Sequence, residues 1–290
     1  MRFTFTESMC PPDHLVRLAV EAEAHGFDSF AIPDSVCYPR DCDSTYPYTP
    51  DGGREFLEDQ PLLDPFVLSA AIGAVTERIR LTTFVVKLPI RHPVLVAKQA
   101  TSIACLTGGR FALGAGLSPW REDFRAVEVP WQGRGKRMDE MIEIIRGLAA
   151  GGYFEFHGTH FDLEPIKLCP VPSEPIPILI GGHADAALRR AARFGDGWMH
   201  GGGGQASDLA GALARIAELR KEYGRENLPF EIHAISMDAF SRDGLKRLED
   251  GGVTDAIMGV RDPYSGVGMP LEKKLDALRG LADTLIAKHR

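Results

Sequence analysis

The sequence predicts a (β/α)8 barrel, an α/β fold in which eight parallel strands form a closed core. Eight short apolar segments alternate with eight amphipathic segments within 290 residues. The apolar segments are almost continuously hydrophobic, as in parallel strands that are buried on both faces. Eight strand–helix units in a chain of this length are typical of a TIM barrel. A doubly wound open sheet is the alternative.

Local patterns predict each unit in turn. Residues 2–8 alternate apolar and polar side chains, and within residues 13–25 Leu15, Leu18 and Ala22 recur on one helical face. The later strands are predicted at 28–34, 80–88, 111–117, 175–182, 196–200, 230–236 and 255–260. The helices that follow them are predicted at 62–76, 94–107, 136–150, 184–194, 206–223, 241–250 and 271–288. No linker separates these units, so we expect one domain over residues 1–290.

Two connections exceed the usual loop length. One insertion follows strand two at residues 35–61, and the other precedes strand five at residues 151–174. Long loops in compact domains often act as lids or binding loops. We expect both insertions near the carboxyl ends of the strands, where barrel enzymes carry their active sites.

Composition excludes several classes of protein. The formal net charge is −7, whereas a nucleic-acid-binding protein is usually basic. The five cysteines are odd in number and form no CxxC pair, which predicts reduced thiols in a cytoplasmic protein. The sequence carries no recognisable leader at its start and no apolar run of the ~18 residues that a membrane helix needs. We therefore expect neither a nucleic-acid partner nor a membrane partner.

Glycines follow several predicted strands. Gly181, Gly182 and His183 stand where strand five meets a helix, and a helix N-terminus with glycine in front of it favours a bound phosphate. A tight turn that needs glycine for its backbone is the alternative. The segment 114–120 contains a GxG after strand four, but it lacks the third glycine of a dinucleotide fingerprint. The glycines at 201–204 form either a ligand-facing loop or a flexible turn.

Polar residues at the predicted strand ends are the candidates for catalysis. Glu7 ends strand one, and Asp34 and Ser35 end strand two, so we expect all three at the barrel mouth. A solvated or helix-capping carboxylate is the alternative for each acid. The histidines of HGTH, at 157–160, lie in a predicted hairpin or loop, and no cluster of acidic or cysteine ligands accompanies them. We therefore expect no metal site.

Several motifs together resemble the bacterial luciferase-like oxidoreductase family. They are LVRLAVEAEAHGFDSFAIPDS, TERIRLTTFVVKLPIRHPVLVAKQATSIACLTGGRFALGAGLSPWREDF, RGKRMDEM and ILIGGHADAALRRAARFGDGW, and they occur in order over residues 1 to 200. Within that family the chain is most similar to the branch that uses the deazaflavin coenzyme F420, and it also resembles branches that use FMN. The resemblance itself implies a (β/α)8 barrel with the cofactor ring at the C-terminal face.

The resemblance also implies cofactor contacts. The glycine pair and its neighbour, Gly181, Gly182 and His183, would take the cofactor phosphate. A non-prolyl cis peptide behind the ring is implied at Thr83–Phe84. Gly116, Leu117 and Ser118 match the strand-four segment that lines the ring.

One position departs from the family pattern. The family commonly has Asp-His at the end of strand two, whereas this chain has Asp34-Ser35. A hydroxyl does not titrate near neutral pH as an imidazole does. This argues against alcohol oxidation by an imidazole base, and Glu7, His183 or His200 remain as substitutes.

Four functions stay open at this stage. The first is hydride transfer between F420 and a small organic substrate. The second is an FMN-dependent monooxygenase that takes reduced flavin from a separate reductase. The third is a non-catalytic cofactor-binding protein, and an unrelated barrel enzyme such as a hydrolase completes the set. The absence of arginine next to the predicted phosphate site favours F420 over FMN. The family commonly forms homodimers, so we expect one here.

Overall fold

We describe the protein from a computed structural model. The structure describes residues 1–46, 49, 51–201, 209–265 and 267–289. The glycines at 202–204, for which a ligand-facing loop was one interpretation, lie outside the described residues, as does the start of the predicted helix 206–223.

Eleven strands occur in the described part of the chain. They are β1 Arg2–Thr6, β2 Ser29–Ile32, β3 Arg80–Thr83, β4 Val86–Lys87, β5 Phe111–Gly116, β6 Phe154–His157, β7 Asp162–Ile166, β8 Ile178–Gly181, β9 Gly197–His200, β10 Glu231–Ile235 and β11 Asp255–Met258. In β2, β5 and β9 every residue is buried, because side chains on both faces are covered. This explains their continuous hydrophobic sequences.

Helices alternate with these strands. They are α1 Pro12–Ala24, α2 Pro65–Gly73, α3 Pro93–Leu106, α4 Arg121–Ala126, α5 Arg134–Ala149, α6 Asp185–Phe194, α7 Leu209–Glu222, α8 Arg242–Asp250, α9 Leu271–Leu281 and, after a π-helical turn, α10 Ala287–His289. Proline begins α1, α2 and α3, at the first helical position, where an N–H would have no partner within the helix. The Asp64 carboxylate caps α2 by accepting from the backbone N–H groups of Phe66 and Val67.

The parallel strands close into an eight-stranded barrel. The order is β3-β2-β1-β11-β10-β9-β8-β5, with β4 continuing beside β5. Pairing of β3 with β5, Thr82 opposite Ala112, closes the ring. The predicted (β/α)8 barrel is therefore confirmed, and the open sheet is excluded.

The third barrel strand is interrupted between β3 and β4. The Phe84–Val85 peptide bond is cis, so the predicted cis bond at Thr83–Phe84 was placed one residue too early. Regular pairing continues through Thr83, which lies opposite Ile32, and the Phe84 N–H donates to the Ile32 carbonyl. The ladder is thus intact up to Phe84, and the irregular bond follows it.

The second insertion forms the antiparallel hairpin β6–β7. It packs on the outside of α5: a Cβ atom at Gly147 would lie 2.1 Å from the Phe154 ring, and the Glu140 carboxylate accepts from the backbone N–H groups of Thr159 and His160. None of its residues lines the cavity described below. The hairpin thus packs on α5 and does not line the cavity, but its tip at His160 lies beside Gly133, next to the cavity residue Arg134. Its expected position near the barrel mouth stays a prediction.

Candidate active site

A cavity of about 410 Å³ lies at the carboxyl ends of the barrel strands. This volume is within the usual range of small-molecule sites. The first insertion, residues 35–61, contributes Tyr46, Phe56 and Leu57 to its wall. Of the predicted site residues, eight line the cavity: Asp34, Ser35, Phe84, Gly116, Leu117, Ser118, Gly181 and Gly182. The other three, Glu7, Thr83 and His183, do not.

Three glycines make room for the interrupted strand. A Cβ atom on Gly114 would lie 1.8 Å from the Thr83 carbonyl oxygen. A Cβ atom would lie 2.8 Å from a Val85 methyl group at Gly116, and 2.9 Å from one at Gly181. The packing of Val85 is thus one physical reason for glycine at position 181. Thr83 itself is fully buried and donates its hydroxyl hydrogen bond to the Gly114 carbonyl.

Gly182 has a different requirement. Its φ angle is +123°, which L side chains rarely adopt, and a Cβ atom there would lie 2.9 Å from the Ala187 methyl. Its carbonyl accepts a 2.8 Å hydrogen bond from the Trp198 indole N–H. Helix α6 begins just beyond it without a side-chain cap. Because the first N–H groups of a helix have no partner within the helix, this end of the cavity suits an anion.

His183 lies behind Gly182 and is neutral at physiological pH. Burial, aided by the neighbouring His200, lowers the pKa of His183 to about 4. The two imidazole rings are 4.8 Å apart, and His183 Nε2 accepts a hydrogen bond from the Gly201 N–H. A neutral imidazole that accepts this bond contributes no positive charge toward a phosphate. The predicted phosphate contact of His183 stays a prediction.

Asp34 is held by an arginine. The two Asp34 oxygens lie 2.8 and 2.9 Å from Arg91 Nη2, and one accepts the backbone N–H of Lys87 at 2.9 Å. Burial raises the pKa of Asp34, while the charges of Arg91 and Lys87 oppose that rise. The carboxylate thus ties the end of β2 to the end of β4. Its neighbour Ser35 lines the cavity directly, where the family commonly has histidine.

Glu7 belongs to a buried ion network outside the cavity. Its carboxylate lies 2.9 Å from Arg261 Nη2 and 3.2 Å from Lys274 Nζ. The Lys274 side chain is fully buried, so it depends on this partner. The predicted catalytic role of Glu7 stays a prediction, and its position favours a structural role.

Ser118 is linked through Asp123 to Lys87, a cavity residue that the sequence analysis did not identify. The Ser118 hydroxyl donates to Asp123, which is fully buried. The same Asp123 oxygen lies 2.8 Å from the ammonium of Lys87, a cavity residue of β4. The sequence did contain one indication of this role: Lys87 lies within the predicted buried strand 80–88, and lysine is rarely buried without a partner.

Arg134 is a second cation on the cavity wall. It lies at the first position of α5, and its guanidinium carbon is 3.6 Å from the centre of the Trp131 ring. Among the described residues it forms no ion pair with a carboxylate; burial and the neighbouring Arg121 lower its pKa. The sequence analysis found no arginine beside the predicted phosphate site. The fold brings Arg134 to the same cavity as Gly181 and Gly182, which weakens that argument for F420 over FMN.

An acidic cluster lies at the opposite end of the barrel. Ligand atoms of Glu231, His233 and Asp255 lie within 4.8 Å of one another. Arg2 pairs with Asp255 at 2.7 Å, and Arg80 pairs with Glu231 at 2.7 Å. Burial raises the pKa of Glu231, but hydrogen bonds from His233 and Arg80 outweigh it and hold that pKa to about 2. The positive charges of Arg2 and Arg80 thus offset the negative charges of Asp255 and Glu231. The expected lack of a metal site stays a prediction.

The fold and this cavity define a (β/α)8 barrel with a small-molecule site at the carboxyl ends of its strands. The family model for luciferase-like monooxygenases matches residues 3–247. The chain therefore belongs to the bacterial luciferase-like family, as the motifs indicated. This family comprises oxidoreductases.

Sequence similarity to known proteins extends over nearly the whole chain. An uncharacterized protein of Mycobacterium tuberculosis is 55% identical over 291 residues, covering 99% of this chain and 100% of that protein. A Nakamurella multipartita protein named as an F420-dependent glucose-6-phosphate dehydrogenase is 28% identical, covering 94% of this chain and 76% of that protein.

Solved structures share the fold. The monooxygenase RslO1 from Streptomyces bottropensis has a TM-score of 0.80 at 18% identity, covering 100% of both chains. The coenzyme F420-dependent tetrahydromethanopterin reductase from Methanopyrus kandleri has a TM-score of 0.74 at 16% identity, covering 100% of this chain and 99% of that chain. No helix in the described part of this chain is long and apolar enough to cross a membrane.

Proposed function

We propose that the protein is an oxidoreductase that transfers a hydride between coenzyme F420 and a small organic substrate. The observation that carries the proposal is one cavity that is lined by Gly181 and Gly182 and by Arg134, whose guanidinium has no carboxylate partner among the described residues. Such a lining suits an anionic tail. Family membership and the F420-dependent relatives support the same cofactor.

The residues present fit such a cofactor. The anionic tail would be held by Gly181, Gly182 and Arg134, and the flat ring would lie against Phe84 and Leu117. Because position 182 is glycine, no side chain covers its backbone, and a Cβ atom there would collide with the Ala187 methyl group. When bound, F420 supplies a carbon that donates or accepts the hydride, and the protein supplies orientation and a dry site.

An aromatic cluster of the chain lines one part of the cavity. The Tyr46 ring lies 5.4 Å from Phe56, 5.5 Å from Trp120 and 6.0 Å from Tyr264. The Tyr46 and Tyr264 hydroxyls are 3.3 Å apart, which joins the first insertion to the segment after β11. Over a bound cofactor, these aromatic rings would keep water away from a hydride donor.

Ser35 favours a second candidate function. Without an imidazole at this position, the site lacks the base expected for alcohol oxidation, and an FMN-dependent monooxygenase needs that base less. Such an enzyme would depend on a separate reductase for reduced flavin. Arg134 would serve the FMN phosphate as well as the F420 tail.

An anaerobic titration of the purified protein with F420 and FMN, each oxidised and reduced, distinguishes the candidates. Fluorescence monitors the titration. We expect F420 to bind with micromolar or tighter affinity and FMN to bind more weakly. The reverse preference would indicate the monooxygenase. Tight F420 binding without hydride exchange to any acceptor would indicate a cofactor carrier, and no binding of either would overturn the proposal. A homodimer, a single domain and a cytoplasmic location remain predictions alongside it.

A further inference from the structure

Two buried cations share one tryptophan beside the cavity. The Lys87 ammonium lies 4.3 Å from the centre of the Trp120 ring, and the Arg54 guanidinium carbon lies 4.9 Å from it. Lys87 is only 6% exposed and Arg54 only 4%. Lys87 and Trp120 both line the cavity, whereas Arg54 does not.

Arg54, unlike Lys87, has no carboxylate partner in the described part of the chain. Asp123 lies 2.8 Å from Lys87, and the neighbouring Glu122, which is also buried, lies 3.8 Å from Arg125. Arg54 forms no ion pair among the described residues, and neither of its terminal nitrogens has a hydrogen-bond partner there. A buried charge without a partner is costly, because it loses water without gaining another acceptor. An anion at this end of the cavity would offset that cost.

The surroundings also indicate the shape of the anion. Tyr46 and Phe56 line the cavity next to Trp120, and the Tyr46 and Trp120 rings are 5.5 Å apart. Lys87 Nζ makes no hydrogen bond of good geometry within the described part of the chain, although Asp123 holds it in place. A compact ammonium beside apolar rings suits a carboxylate on an apolar or aromatic body.

We propose that Lys87, Trp120 and Tyr46 line a carboxylate subsite, that the nearby charge of Arg54 favours an anion in it, and that the substrate is an organic acid with an apolar body. Lys87 binds the carboxylate directly, and Arg54 adds positive charge across the Trp120 ring. The proposal extends the proposed function by naming the class of its substrate. It is tested without cofactor, so its failure is separate from a failure to bind F420.

Equilibrium dialysis of the purified protein with radiolabelled benzoate tests the subsite, with benzamide as the neutral analogue of the same shape. We expect benzoate to bind at least tenfold more tightly than benzamide. We expect the double variant K87M/D123N, which removes both charges of the pair, to lose that preference. K87R, which keeps the cation, should retain most of it. The R80M/E231Q variant removes an ion pair at the opposite end of the barrel and is the control for general damage.

Tryptophan fluorescence locates the bound benzoate. We expect a saturable change in emission in the wild-type protein and its loss in W120F, because Trp120 is the indole of the subsite. R54M should weaken benzoate binding less than K87M/D123N does. Equal binding of benzoate and benzamide, or unchanged benzoate binding in K87M/D123N, would overturn the proposal.

Discussion

The Val85 side chain occupies the space that a side chain at Gly181 would need, since a Cβ atom there would lie 2.9 Å from Val85 Cγ1. The same valine excludes a side chain at Gly116, where the distance to Val85 Cγ2 would be 2.8 Å. Val85 follows the cis peptide bond of the interrupted third strand. The glycine that ends β8 therefore serves the packing of a distant strand as well as the cavity wall.

The first prediction tests this packing. We expect G181A to lower the free energy of unfolding by about 1–3 kcal/mol, because an added methyl group meets Val85 in a packed barrel. Chemical denaturation of the apo protein measures the change. In the double variant G181A/V85A the smaller side chain at 85 should restore part of the loss. G280A is the matched control, since a Cβ atom at Gly280 in α9 meets nothing within 4 Å. Equal effects of G181A and G280A would contradict the packing argument.

The second prediction concerns Glu7. We expect E7Q to destabilise the protein by about 3–5 kcal/mol, because it leaves the buried cations Lys274 and Arg261 without their carboxylate. Thermal and denaturant unfolding of the apo protein show the loss. If stability is instead unchanged and hydride transfer is lost, Glu7 acts in catalysis as the sequence analysis expected.

The third prediction follows from the neutral imidazole of His183. Its pKa falls from the ordinary value of 6.5 to about 4 on burial, so the unfolded chain takes up a proton more readily between these values. The contribution of neutral His183 to stability is therefore complete above pH 6.5 and is lost as the pH falls toward 4. We expect H183N to flatten the decline in unfolding free energy over this window. The exposed His157, whose pKa the Asp162 carboxylate raises, supplies the control H157N. An identical decline in H183N and wild type would contradict the prediction.

The fourth prediction compares two arginines on one tryptophan. Arg134 and Arg121 lie 3.6 and 5.6 Å from the centre of the Trp131 ring, and only Arg134 lines the cavity. We expect R134M to weaken F420 binding by about tenfold, the usual effect of one lost charged hydrogen bond. R121M should leave the affinity within about twofold. The anaerobic titration with F420 measures both, and similar losses in the two variants would contradict the contact.

Local sequence patterns were sufficient for the barrel. Strand β2 and helix α1, for example, follow from hydrophobic runs and from a 3.6-residue periodicity, which depend only on near neighbours. The turn at Gly182 was predictable for the same reason, because its backbone needs glycine within the turn itself. The motifs also identified the family that the family model confirms.

Contacts between distant residues decided the rest of the site. Glu7 meets Lys274 far along the chain, and Lys87 meets Asp123 on another element. Val85 reaches Gly181 only because the strands close into a ring. By itself, then, the sequence determined the barrel, the family and the glycine turn. Only the tertiary structure decided which charged groups pair and which face the cavity, because burial and charge pairing arise between segments that no local pattern connects.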